Sequence, residues 1–378
     1  MDLGLTEFQQ KTKDTARDFL ARETPKSLVR ELDESESGHS PEVWQKMARL
    51  GWQGLAIAEE YGGLGGDLVD LAVIIEEMGY AGFPSPFLAT TVWGGLTLLD
   101  AADDKPKKRI LPGVADGSLI LTMAIAEQAA DWTAEDIALT IERSGSDLVL
   151  NGEKRFVAYA EIADYILVAG RDSGTSGEDG ISLAVVPAGT AGMSFTRLVT
   201  TGGVRQYVVS FADVRVAEDS IVGGVEIGWP IIRRAIERAT AMQCAYAVGC
   251  AQRALAMTVE HAQTRTQFGQ PLGKFQAVQH HCADMAMLTE GARLVTYEAI
   301  SHLNDGLPAT RAVAMAKAFT NDATRETSWL AQQIHGGIGI MREYDLHFYF
   351  REIKAAEQTL GITRDALETV ADEIGLPR

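Results

Sequence analysis

Apolar side chains first appear at helical spacing. Over residues 1 to about 118, Phe8, Ala16, Phe19 and Leu20 recur every three or four positions, and Leu71, Val73, Ile74 and Met78 mark an apolar face between Asp67 and Tyr80. Helix-start signals precede these runs. Thr6 with Gln9 reads as a capping box. Ser40-Pro41-Glu42 places proline in a first turn, ahead of Val43, Met47, Leu50 and Trp52. A glycine loop spans 62–66. Pro84 and Pro86 interrupt the helical pattern before another apolar helix runs through Leu98 and Leu99.

From about 119 to 225 the period shortens. Residues 119–125, 138–141, 148–150, 165–169, 181–186 and 207–211 are β-rich runs separated by Gly, Asp, Asn and Ser. Such close spacing predicts a small β-barrel or sandwich, with a flexible surface hairpin at Asp172 to Asp179. From Gly228 helical spacing returns in long runs over about 230–262, 272–304 and 308–335, and a last amphipathic helix covers Thr363 to Ile374. The expected fold is α+β, mostly α. It has an N-terminal helical domain (1–118), a middle β domain (119–225) and a C-terminal four-helix bundle (226–378).

Composition adds exclusions. With 34 basic and 52 acidic residues the net charge is −18, which argues against nucleic acid or an anionic membrane as partner. No basic region precedes an apolar run at the N-terminus, and no uncharged apolar stretch is long enough to span a bilayer. Cys244, Cys250 and Cys282 read as small apolar residues in a reducing cytoplasm, not as a metal or disulfide set.

Two stretches carry candidate chemistry. Arg265-Thr266-Gln267-Phe268-Gly269 leads to Phe275-Gln276, and Gln333-Ile334-His335-Gly336-Gly337-Ile338-Gly339 lies further on. Each interrupts a helix with glycine. Bare amides at a helix end, with an arginine nearby, suit a pyrophosphate.

Together these stretches resemble the acyl-CoA dehydrogenase family, whose pattern is Arg-x-x-Phe-Gly, then Phe-Gln, then Gln-x-x-Gly-Gly-x-Gly. Residues 60–66 and Phe211-Ala212-Asp213-Val214-Arg215-Val216 extend the likeness over essentially the whole chain. The resemblance implies FAD as cofactor, an acyl-CoA thioester as substrate, a tetramer, and an electron-transfer flavoprotein as acceptor. It assigns the adenosine and pyrophosphate half of FAD to Arg265, Phe268, Gln276, Gln333, Gly336 and Gly337, across a subunit interface.

The chain departs from the family in two places. The family's glutamate base stands at one of two positions, which here are Leu360 and Ala239. Neither accepts a proton, so no catalytic residue is assigned. Glu357 lies three residues before Leu360. A continuing helix would place both on one face, making Glu357 the alternative base. The flavin-ring segments have also lost their hydroxyls. The family's Thr-Glu-Pro-Gly-x-Gly-Ser-Asp is here Ala126-Glu127-Gln128-Ala129-Ala130-Asp131-Trp132-Thr133, and Lys-x-Trp-Ile-Thr-Asn is Lys154-Arg155-Phe156-Val157-Ala158-Tyr159. The chain thus resembles the base-less subunits of heterotetrameric acyl-CoA dehydrogenases of sterol side-chain degradation. Two other readings stay open: a self-sufficient homotetramer using a displaced base, and a flavin-free acyl-CoA-binding scaffold.

Overall fold

A computed structural model describes residues 4–145, 147–224 and 227–376. The N-terminal part is helical: α1 (Glu7–Glu23), α2 (Lys26–Glu34), α3 (Pro41–Arg49), α4 (Leu68–Ala81), a π-helical turn (Leu88–Gly95), α5 (Leu96–Ala101) and α6 (Asp104–Ala115). Local chemistry sets the starts. Thr6 and Gln9 close the capping box on α1, Ser40 caps α3 with Pro41 behind it, and Asp67 and Asp70 exchange bonds at the head of α4.

The middle of the chain forms the expected small β domain, a curled seven-stranded sheet: β1 (Leu121–Ala124), β2 (Thr140–Ser144), β3 (Asp147–Ala158), β4 (Tyr165–Arg171), β5 (Ile181–Pro187), β6 (Met193–Leu198) and β7 (Gln206–Ala217). Their order is β1-β4-β2-β3-β7-β6, with β5 also on β4. Strand β6 is not marked by the sequence pattern because its apolar alternation is short, Met193 and Phe195 followed by Arg197, although both apolar side chains pack against the sheet core. None of its residues is fully buried. The hairpin joining β4 to β5 is tied down, since Arg171 donates to the carbonyls of Gly177 and Asp179 at 2.7 Å each.

The C-terminal bundle comprises α7 (Gly228–Thr264), α8 (Gln276–Asn304), α9 (Thr310–His335), α10 (Leu346–Gln358) and α11 (Thr363–Glu373). Helix α8 starts later than the apolar run suggests. Residues 266–271 form a tight hairpin of two short strands, β8 (Thr266–Gln267) and β9 (Gln270–Pro271), and 272–274 form one 3₁₀ turn. The junction expected at 225–226 and the first residues Met1-Asp2-Leu3 lie outside the described residues.

One apolar core joins the N-terminal helices to the bundle, through Leu71, Ile74 and Met78 of α4 and Met242, Ala245 and Cys250 of α7. A second core, including Ile110, Leu167 and Ile232, ties the sheet to both helical parts. Cys244 and Cys250 are buried and Cys282 is half-buried, all as free thiols. Burial pushes the Cys244 thiol up to about 11. Among the described residues, no helix is long and apolar enough to cross a membrane.

Candidate cofactor strip and vacant base position

Both glycine-bearing stretches converge on one end of the bundle. Helix α7 ends at Thr264 and helix α9 at His335. The rings of His261 and His335 stack there at 4.4 Å and 25°. His335 also meets Tyr344 Oη at 3.1 Å and the Ala331 carbonyl at 2.8 Å. This stack, with His335 buried and His261 half-buried, sets the spacing between the two chain segments.

Arg265 leaves α7 in extended conformation, with its side chain exposed. The following hairpin turns on Phe268 and Gly269, both at positive φ (52° and 79°), as in a type I′ turn. Phe268 therefore points outward. It is 91% exposed, with only an edge contact to Phe275 at 6.2 Å. A phenylalanine at positive φ is strained by roughly 1–2 kcal/mol, an unusual arrangement for a side chain left in water. Gln276 opens α8 and is exposed.

On the other stretch, Gln333 is exposed, and Gly336 takes φ 64° and ψ −143°, which only glycine adopts readily. A Cβ built at Gly336 or Gly337 would meet nothing within 4 Å, so their backbone lies open. Gln333 and Gly336 line a groove of ≈ 500 Å³ with Trp329, Gln332 and His347. Within it Gln332 Oε1 and His347 Nδ1 are buried without a hydrogen-bond partner, which leaves capacity for a polar ligand. No motif marked Gln332 or His347 in advance.

The base positions are closed to acid–base work. Ala239 is buried on α7. Leu360 is buried at φ 64°, two residues beyond the end of α10. The helix does not continue from Glu357 to Leu360, so the two do not share a face. Buried Lys317 holds this terminus by donating to the carbonyls of Ala356 (2.8 Å) and Thr359 (2.7 Å), and burial lowers its pKa to about 8. Glu357 is itself occupied. Its carboxylate accepts from Arg325 at 3.1 Å and from Lys354 at 2.8 Å. Glu237, near Ala239, accepts from Thr310 at 2.7 Å.

The segments matching the family's flavin-ring cradle are anchored by Glu127 and Lys154, while Phe156, at φ 57°, stays 39% exposed. Glu127 Oε1 accepts from the amides of Ala138 and Leu139 and from Lys154 Nζ, at 2.9, 2.9 and 2.7 Å. Burial lowers the Lys154 pKa to about 8. Trp132 packs against Trp93 at 5.9 Å, and Ala126 is buried. The residues of the strip suit the nucleotide half of FAD, whereas Ala126 and Ala158 offer the flavin ring no side-chain hydroxyl.

Models of the acyl-CoA dehydrogenase N-terminal, middle and C-terminal domains match residues 6–118, 122–214 and 226–375. Acyl-CoA dehydrogenase FadE12 of Mycobacterium tuberculosis H37Rv is 32% identical over 348 residues, covering 90% of this chain and 89% of FadE12. Butyryl-CoA dehydrogenase from Megasphaera elsdenii superposes with a TM-score of 0.93 at 26% identity, covering 99% of this chain and 100% of that one. A chain of the ChsE4–ChsE5 complex from Mycobacterium tuberculosis superposes with a TM-score of 0.92 at 26% identity, over 100% of both chains. The chain belongs to the acyl-CoA dehydrogenase family, FAD-dependent oxidoreductases that act on a CH–CH bond of acyl-CoA.

The occupied Glu357 leads to a direct expectation. Glu357→Gln should change dehydrogenase turnover of the assembled enzyme by less than about twofold, while lowering Tm slightly, because Lys354 loses its carboxylate and Arg325 keeps only Asp322. A working base would instead lose roughly 10²-fold or more. Steady-state kinetics and a thermal melt of the same preparation decide between them.

Proposed function

We propose that this chain serves the α,β-dehydrogenation of an acyl-CoA thioester as one subunit of a larger assembly. A related, glutamate-bearing subunit supplies the base and the flavin-ring pocket. This chain supplies Arg265, Phe268, Gln276, Gln333, Gly336 and Gly337 to the adenosine and pyrophosphate half of FAD seated in that neighbour. An electron-transfer flavoprotein takes the electrons, and the setting is cytoplasmic.

One observation carries the reading. The open, glycine-lined strip with its exposed Arg265 is present, while both base positions hold buried aliphatic side chains and Glu357, three residues before Leu360, is pinned by two cations. A self-contained dehydrogenase needs both halves, because the carboxylate must reach the substrate proton and the protein must orient the flavin. ChsE4–ChsE5, a complex with this fold, supports a two-component arrangement.

The test is the visible spectrum of the purified chain, alone and co-expressed with a glutamate-bearing paralogue from its source. The expected result is a colourless chain alone, and one FAD for every two subunits in the pair, because only the partner carries a ring pocket. One FAD per subunit and acyl-CoA oxidation by the chain alone would overturn the proposal. A pair that stays colourless favours the scaffold reading.

A further inference from the structure

A second groove, of ≈ 570 Å³, lies between α2, the β6–β7 turn and the stretch from Ile340 into α10. It gathers Arg30, Arg197, Arg205, Arg342 and Arg351, against only Asp33 and Glu34. Such a cluster stands out on a chain of net charge −18.

Three of these arginines are used internally. Arg351 forks onto Asp33 at 2.8 and 2.9 Å and donates to the Thr201 carbonyl. Arg30 pairs with Asp345 and donates to the carbonyls of Arg342 and Glu343. Arg205 is buried and donates to four carbonyls, those of Leu32, Asp33, Ser35 and Gly203, so its charge faces no hydrogen-bonded carboxylate. Burial, then the nearby Arg197, lowers the Arg205 pKa. Arg197 and Arg342 are exposed and enter none of these pairs.

The free donors and their surroundings select the occupant. A small anion would find only Arg197 and Arg342 outside the internal pairs, in water and under salt screening. The groove is also flanked by two apolar side chains left in solvent, Val199 at 101% and Ile340 at 75% exposure. A protein surface satisfies both features, since its carboxylates meet the two guanidinium groups while its apolar atoms cover Val199 and Ile340. The groove also runs into the Gln333–Gly336 groove, with Ile340, His347 and Arg351 lining both.

We propose that the arginine groove receives an acidic segment of the adjoining acyl-CoA dehydrogenase-fold subunit, the same subunit whose FAD lies on the Gln333–Gly337 strip. This rests on the reading that a neighbouring subunit seats its cofactor there. A body covering that strip meets the contiguous groove as well. Arg197 and Arg342 then act as recognition cations that select an acidic partner and set its orientation.

The experiment is R197E/R342E in the co-expressed assembly, followed by analytical ultracentrifugation at low and high NaCl. Wild type should loosen as salt rises. The double variant should raise the dissociation constant at least about tenfold at low salt and flatten the salt dependence. Its subunit Tm should match wild type, because neither arginine is committed to an internal pair. Wild-type affinity and salt slope in the variant overturn the proposal.

Where only self-assembly occurs, the same readouts apply to it, and a chain that is monomeric under all conditions overturns the proposal. The flavin count separately decides whether a partner supplies the ring pocket. A Tm rise with millimolar inorganic phosphate or ADP in wild type, absent from R197E/R342E, assigns the groove to a small anion and also overturns the proposal.

Discussion

Arg265→Met should strip FAD from the assembled enzyme while leaving each subunit folded. The guanidinium stands exposed at the end of α7, so its removal costs the fold little. A hydrogen bond to a charged group contributes about 1.5–3 kcal/mol, which corresponds to flavin affinity weakened by roughly 10- to 100-fold. Arg265→Lys should recover only part of this, because an ammonium lacks the planar fork that grips a pyrophosphate. Flavin retained through gel filtration, read at the visible band and compared with the subunit Tm, gives the answer. Unchanged retention in Arg265→Met would remove Arg265 from the cofactor strip and take away the main support for a nucleotide shared across the interface.

Gly249→Ala should produce the largest loss of stability. Helices α4 and α7 touch backbone to backbone. A Cβ at Gly249 would stand 1.9 Å from the Glu76 carbonyl oxygen, and one at Gly79 would stand 2.0 Å from that of Tyr246. The obstructing atoms are main chain, so no rotamer change relieves the clash and the helices must separate. Overpacking a close-packed core costs about 1–3 kcal/mol and occasionally more, and this contact lies at the upper end. The parting also disturbs the Cys250 thiol bond to the Gly79 carbonyl, at 3.3 Å, and the apolar layer around Leu71, Ile74 and Ala245. A Tm drop of about 10 °C, or loss of soluble protein, is expected. A melt within a degree or two of wild type would mean that α4 and α7 slide freely, contrary to the packing described.

These two substitutions separate the protein's layers of specification. Arg265 was visible in the sequence because its neighbours, Phe268-Gly269 and Gln333 to Gly337, form a spaced pattern with a chemical meaning. Gly249 sits in an alanine-rich run where glycine reads only as a weak helix former. Its meaning comes from a helix some 170 residues earlier in the chain, packed at contact distance.

Glu357 teaches the same lesson in reverse. Counting three residues to Leu360 suggests a shared helical face, but the helix stops at Gln358 because Lys317, from another helix, holds the last carbonyls. Local spacing cannot register a cap donated from a distant segment. Likewise no motif announces the arginine groove, whose arginines come from α2, β6 and the turn after it, the segment before α10, and α10 itself.

The order of helical and strand-rich regions is legible in the residues alone, because periods near 3.6 and 2 are local properties of side-chain direction. So are the helix starts at Thr6 and Ser40, because capping bonds close within three residues, and the family, because the glycine and arginine motifs are contiguous. Long-range contacts alone establish that the strands make one curled sheet, that β6 joins it through only Met193 and Phe195, and that Glu357 is held by Arg325 and Lys354. They alone bring His261 against His335, so that two remote glycine stretches meet. Each of these depends on contacts between segments far apart in the chain. Their energy comes from burial and pairing between partners that no local window of sequence contains.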